Sequence, residues 1–78
     1  MKYSLYKAED KRDGNTLLWL VNASNDRVAT FCTKWAPSRI KQNTAAAPGR
    51  IVWSPLDFFV DYANHDDMIL IDEWEFSL

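Results

Sequence analysis

His65 stands in "ANHDDM" beside Asp66 and Asp67, a grouping that could bind a metal or act as an acid–base pair. Neighbouring residues rarely converge on one ion, and a single imidazole gives zinc one nitrogen ligand where its sites use several. The residues read more simply as a solvated helix end. Cys32 is the only cysteine, so neither a disulfide framework nor a Cys-rich zinc site is available. Its neighbours Thr30, Phe31 and Thr33 suggest a strand, in which it is expected to be a small buried hydrophobe. Two glycines are too few for a Gly-rich phosphate loop, and no nucleotide-binding or EF-hand spacing is present. Ser, Cys and His show no triad-like arrangement. Paired carboxylates after Asp57 could in principle serve glycoside hydrolysis, but so short a chain has little room for a sugar cleft. No catalytic residue, metal or cofactor is therefore expected.

Charge carries more information. Residues 1–50 hold nine Lys/Arg and four Asp/Glu, a net of +5; residues 51–78 hold no cation and seven acids, a net of −7. Such asymmetry points to an interaction surface more readily than to a requirement of the fold. Asp57 and Asp61 lie at i, i+4 on an expected helix and repel each other. Asp66 and Asp67 follow its C-terminal end, where the helix dipole disfavours anions. Either basic residues of the first half fold over these acids, or the acids face a partner.

The elements that would position them are legible in outline. "KYSLYKA", "TLLWLVNA" and "VATFCTKW" read as strands joined by turns at Asp13-Gly14 and at Ser24–Arg27. Leu17–Val21 is apolar on both faces, as a central strand would be. "APSRIKQNTAAAPG", bracketed by Pro37 and Pro48, reads as a long surface loop made positive by Arg39, Lys41 and Arg50. Arg50–Trp53 reads as a short strand. Ser54 as N-cap, Pro55 at the first helical position and Asp57 at N3 predict a helix over 55–63, with Leu56, Phe59, Val60 and Ala63 on its core face. Met68–Leu78 reads as the last strand. There Asp72 shares a face with Met68, Leu70, Trp74 and Phe76, so it must be paired or the strand must bulge near Ile71–Glu73.

The expectation is an α+β domain spanning residues 1–78: an antiparallel sheet of about five strands with one helix across one face. Seventy-eight residues are near the lower limit for unaided folding, and four tryptophans help by burying much area per side chain. "MKYSLYKAEDK" has no apolar core of a signal peptide, and no apolar run is long enough to span a bilayer, so a cytoplasmic location is expected.

Three functions are weighed. The first is a non-enzymatic protein-binding module. It would act through Asp57, Asp61, Asp66 and Asp67 with Glu73 and Glu75, and use Phe58 and Tyr62 as aromatic anchors beside the acids. A small, Trp-rich, acidic chain without enzyme motifs is similar in general type to phage-encoded inhibitors. Its partner would then be a host or defence protein in the host cytoplasm. The acids can mimic DNA phosphates, and so occupy a basic nucleic-acid-binding surface, if they line one face. The second is a nucleic-acid-binding accessory domain using Lys34, Trp35, Arg39, Lys41 and Arg50, a mixture of cations and an aromatic suited to single strands. A pI of 5.1 argues against it. The third is a small-ligand sponge lined by Trp19, Trp35, Trp53 or Trp74. Either a monomer or a homodimer paired through strand edges is compatible with all three.

Overall fold

A computed structural model describes residues 1–76. β1 (Lys2–Glu9), β2 (Thr16–Asn22), β3 (Arg27–Cys32), β4 (Ser54–Pro55) and β5 (Ile69–Glu75) form one antiparallel sheet in the order β4-β3-β2-β1-β5. α1 (Pro37–Ala46) lies between β3 and β4, and α2 (Asp57–Tyr62) between β4 and β5. The α+β architecture expected from the sequence is the one observed.

The strands follow from alternation and turn chemistry. The first hairpin closes where Gly14 takes φ 78°, a conformation open to glycine, and its amide donates to the Asp10 carbonyl at 2.8 Å. Asp26 ends the second turn in the left-handed region at φ 54°. β2 is the central strand and is buried on both sides from Leu18 to Asn22. Its even residues Leu18 and Leu20 join Tyr3, Leu5, Ala29 and Ile40 on one face. Its odd residues Trp19 and Val21 join Ala8, Val28 and Ala63 on the other. The sheet thus has a core on each side, one under α1 and one under α2.

Several local expectations are corrected. The segment read as a surface loop is helical over Pro37–Ala46. Pro37 occupies the first helical turn and Pro48 follows the C-cap Ala47, so the two prolines mark a start and a stop. The helix escaped notice because only Ile40 and Thr44 point inward. Arg50–Trp53 is not a strand: Arg50 ends a 3-10 turn, Val52 is 85% exposed, and pairing begins only at Ser54. Ser54 and Pro55 do not begin α2. They pair with Val28 and Arg27 as a two-residue edge strand, where a proline is tolerated. The Leu56 amide donates to the Asp26 carbonyl at 3.0 Å, which delays the helix to Asp57. So short a helix turns Leu56, Phe59, Tyr62 and Ala63 to the sheet, and Val60 is 57% exposed rather than core. Cys32 is exposed, because α2 covers Val28 on that face of β3 but not Thr30 or Cys32.

α1 is tied down by one buried hydrogen bond. Trp74 Nε1 donates to Thr44 Oγ1 at 3.1 Å, and that hydroxyl donates to the Lys41 carbonyl at 2.7 Å. Thr44→Val should cost about 1–3 kcal/mol, the penalty for a buried donor left without an acceptor. Thr44→Ser should cost less, and urea denaturation of the two variants checks the ordering.

Candidate functional site: two charged sides of one sheet

The sheet turns the charge split along the chain into a partial split across space, with Lys2 and Arg12 of the basic half remaining on the α2 side. Arg39 and Lys41 ride on α1, on the side of Tyr3 and Leu5. Asp57 and Asp61 ride on α2, on the side of Trp19 and Val28. Glu73 and Glu75 face Ser4 and Lys2 across the β1–β5 ladder. Ser4 and Lys2 share a strand face with Tyr6 and Ala8, which pack beneath α2. Glu73 and Glu75 therefore project to the α2 side as well. Asp66 and Asp67 lie in the turn that joins α2 to β5.

Basic residues do not fold over these acids. Among the described residues, two ion pairs form within 4.0 Å, and only Lys2–Glu73, at 3.5 Å and exposed, involves one of the six acids. Asp67 is partly engaged by backbone, accepting from the Glu9 amide at 3.3 Å. Asp57, Asp61 and Asp66 are left to solvent. His65 places its Nε2 3.3 Å from the Val60 carbonyl and its ring edge-on to Phe59, an arrangement that ties down the end of α2.

Phe58 and Tyr62 do form a pair, edge to face with centroids 5.8 Å apart, and Phe58 is 41% exposed. α1 does not cover them, since it packs on the opposite face. Arg12 does so in part, with its guanidinium 4.2 Å from the Tyr62 centroid and 6.0 Å from that of Phe58. Asp10 holds Arg12 in place. Its Oδ1 accepts from Arg12 N at 2.9 Å and Nε at 3.1 Å, and its Oδ2 accepts from Nη2 at 2.8 Å. Sequence reasoning missed this clamp. The signal was there in Asp10 and Arg12 flanking a hairpin turn, but nothing local showed that the turn would meet α2, where the Lys11 amide donates to the Tyr62 carbonyl at 2.8 Å.

The Arg12 hydrogen bond holds the Asp10 carboxyl below the ordinary value of 3.8, against the opposing effect of burial. Because the folded value lies below the unfolded one, this contribution to stability is fully present above 3.8 and is lost as pH falls through the lowered folded value. Asp10→Ala should cost about 1–3 kcal/mol at neutral pH. It should also flatten the loss of stability on acidification below 3.8, which thermal melts across that range would show.

The basic side has its own concavity. A groove of about 430 Å³ is lined by Phe31, Trp35, Arg39, Asn43 and Arg50, among others. The Arg39 guanidinium stacks 4.4 Å from the Trp35 centroid. Three of the five residues expected at a nucleic-acid site thus converge. Lys41 instead lies 5.9 Å from the Trp74 ring, and Lys34 is exposed in the turn before α1. A second cavity of about 410 Å³ has Tyr3, Trp53 and Phe76 among its walls, with the 3% exposed Asn22 at its lining. Asn22 Oδ1 has no hydrogen-bond partner. Trp19 and Trp74 line neither space: both are buried core residues.

No family model, curated protein or solved structure matches the chain. No helix among the described residues is long and apolar enough to cross a membrane.

Proposed function

We propose that this chain is a non-enzymatic protein-binding module that presents its α2–β5 side to a basic surface of another protein. One observation carries the reading: Asp57, Asp61, Asp66, Glu73 and Glu75 lie on or beside the α2 side of the sheet, and Glu73 alone among them has a cation partner. Solvated acids of one sign give a surface a long-range field that speeds encounter with an oppositely charged partner. Phe58 and Tyr62 beside them supply the apolar contact that a charged rim needs at its centre. Arg12, stacked on that pair, is the group that a partner's aromatic or cationic side chain would displace or join. A basic nucleic-acid-binding groove on a host or defence protein fits such a surface, which would then stand in for phosphates. On this reading the chain inhibits by occupying that groove.

The test is capture of a protein by the immobilised chain, compared with a D57K/D61K variant. Loss of the captured protein on charge reversal supports the reading; equal capture removes it.

A second reading rests on the Trp35–Arg39 stack in the groove of α1. It assigns the basic side to single-stranded nucleic acid, with a base stacking on the aromatic and the two arginines on phosphate. Its measure is binding of an oligothymidine that weakens steeply between about 50 and 200 mM salt.

A further inference from the structure

The two edges of the sheet are finished differently. β4 closes one edge with two residues, one of them Pro55, which blunts strand pairing. β5 closes the other with Ile69, Leu70 and Ile71 in succession, 58%, 51% and 40% exposed. Three neighbouring large aliphatic side chains in water on an open edge are what proteins ordinarily avoid. The pairing shifts between Leu5 and Tyr6, leaving Ile71 as the extra residue of a bulge.

The backbone on that edge can be assigned. Met1 and Phe76 exchange both hydrogen bonds, each 2.9 Å. Alternation along β1 then directs Tyr3, Leu5 and Lys7 toward β5, and turns the amides of Leu70, Glu73 and Glu75 away from β1. The Glu73 amide is occupied by its neighbour, donating to Asp72 Oδ1 at 2.7 Å. Those of Leu70 and Glu75 face outward without such a cover.

We propose that the free edge of β5 takes up an extended strand of the partner protein, with an apolar centre over Ile69–Ile71 and a cation at each end. The inference rests on the protein-binding reading and adds to it the mode of binding and the partner's chemistry. The charges choose the occupant. Asp66 and Asp67 precede the apolar stretch, Glu73 and Glu75 follow it, and no lysine or arginine occurs anywhere after Arg50. In a second copy paired antiparallel about Leu70, Asp67 of each chain would face Glu73 of the other, and like charges directly opposite destabilise a ladder. A strand with cations about six residues apart, roughly 20 Å along an extended chain, would meet an acid at both ends. Main-chain bonds would supply the affinity and the end charges the selectivity.

The experiment is a titration of the ¹⁵N-labelled full chain with the synthetic peptide KRVTVTVKR at low salt. Two controls accompany it: the acid-ended peptide EEVTVTVEE, and the basic peptide N-methylated at alternate residues, which keeps the charge and removes the donors. Saturable shifts confined to residues 67–75 are expected, with affinity at least about tenfold weaker for each control. Leu70→Lys, at an exposed position, should weaken the basic peptide similarly. Equal affinity for the N-methylated peptide, or shifts on Asp57–Tyr62 instead, would overturn strand addition and leave the acidic surface standing. No saturation at millimolar peptide would overturn strand addition too, and charge-reversal capture would then judge the acidic surface separately. Concentration-dependent shifts at residues 69–71 without peptide would mean that a second copy takes the edge, which also overturns the proposal.

Discussion

Trp19→Ala is expected to remove a large part of the stability of the chain at 25 °C. Trp19 is wholly buried in the central strand, packs against Phe59 with centroids 5.9 Å apart and the rings tilted at 58°, and donates through Nε1 to the Ala8 carbonyl at 3.0 Å. It thus joins β2 to α2, as Tyr6, 5.3 Å from the same Phe59 ring, joins β1 to it. Truncating a buried tryptophan costs about 3–5 kcal/mol. A domain of this length has about 4–12 kcal/mol in all, at 0.05–0.15 kcal/mol per residue. The Ala8 carbonyl would lose its partner as well, and the cavity would open directly beneath the helix that carries Asp57 and Asp61. Trp19→Phe, which keeps most of the volume but not the donor, should lose less and remain folded. Urea denaturation followed by far-ultraviolet circular dichroism checks both. A cooperative transition for Trp19→Ala close to that of the parent chain would mean that the α2 side is held by something other than this tryptophan.

The second large effect concerns association. Reversing Asp57 and Asp61 to lysine should lower the rate of association with a basic partner by about tenfold or more at low salt, since steering of this kind changes on-rates by factors of 10–10³. The difference should shrink as salt approaches about 150 mM, where the screening length is about 8 Å. The fold should change little: both positions are exposed, an i, i+4 pair of lysines repels much as the pair of aspartates does, and the loss of Asp57 from the first turn of α2 costs about 0.3–1 kcal/mol. A melting temperature lowered by a few degrees at most with a slower on-rate is therefore the signature, read by surface plasmon resonance at two salt concentrations.

What the sequence made legible, and what it hid, divide along physical lines. Strands with two-residue periodicity and turns that need glycine were legible, because both are local. The Asp13-Gly14 turn, the doubly covered Leu17–Val21 strand and the bulge beside Asp72 all stand where those rules put them. The bulge and the Glu73 amide together resolve the problem of a carboxylate on an apolar face. α1 was hidden because a helix with two inward residues has almost no apolar stripe, and because Pro37 and Pro48 punctuate a loop and a short helix alike. The start of α2 was misplaced because Ser54 and Pro55 satisfy capping rules, yet the edge of β3 captures them first. The six acids were legible as a group, but their common side was not. It depends on strand parity across β1 and β5 and on which face each helix takes, and both are long-range facts. The Asp10–Arg12 clamp on Tyr62 was invisible for the same reason.

The acidic α2–β5 side, and not the basic α1 side, is proposed to meet the partner. The most direct measurement is capture from a cell extract by the immobilised chain, by D57K/D61K and by R39E/R50E, each with and without nuclease treatment. The expected result is a protein partner that survives nuclease, is retained by R39E/R50E, and is lost with D57K/D61K. Recovery of nucleic acid that disappears with nuclease and with R39E/R50E, while D57K/D61K captures as the parent does, would contradict it.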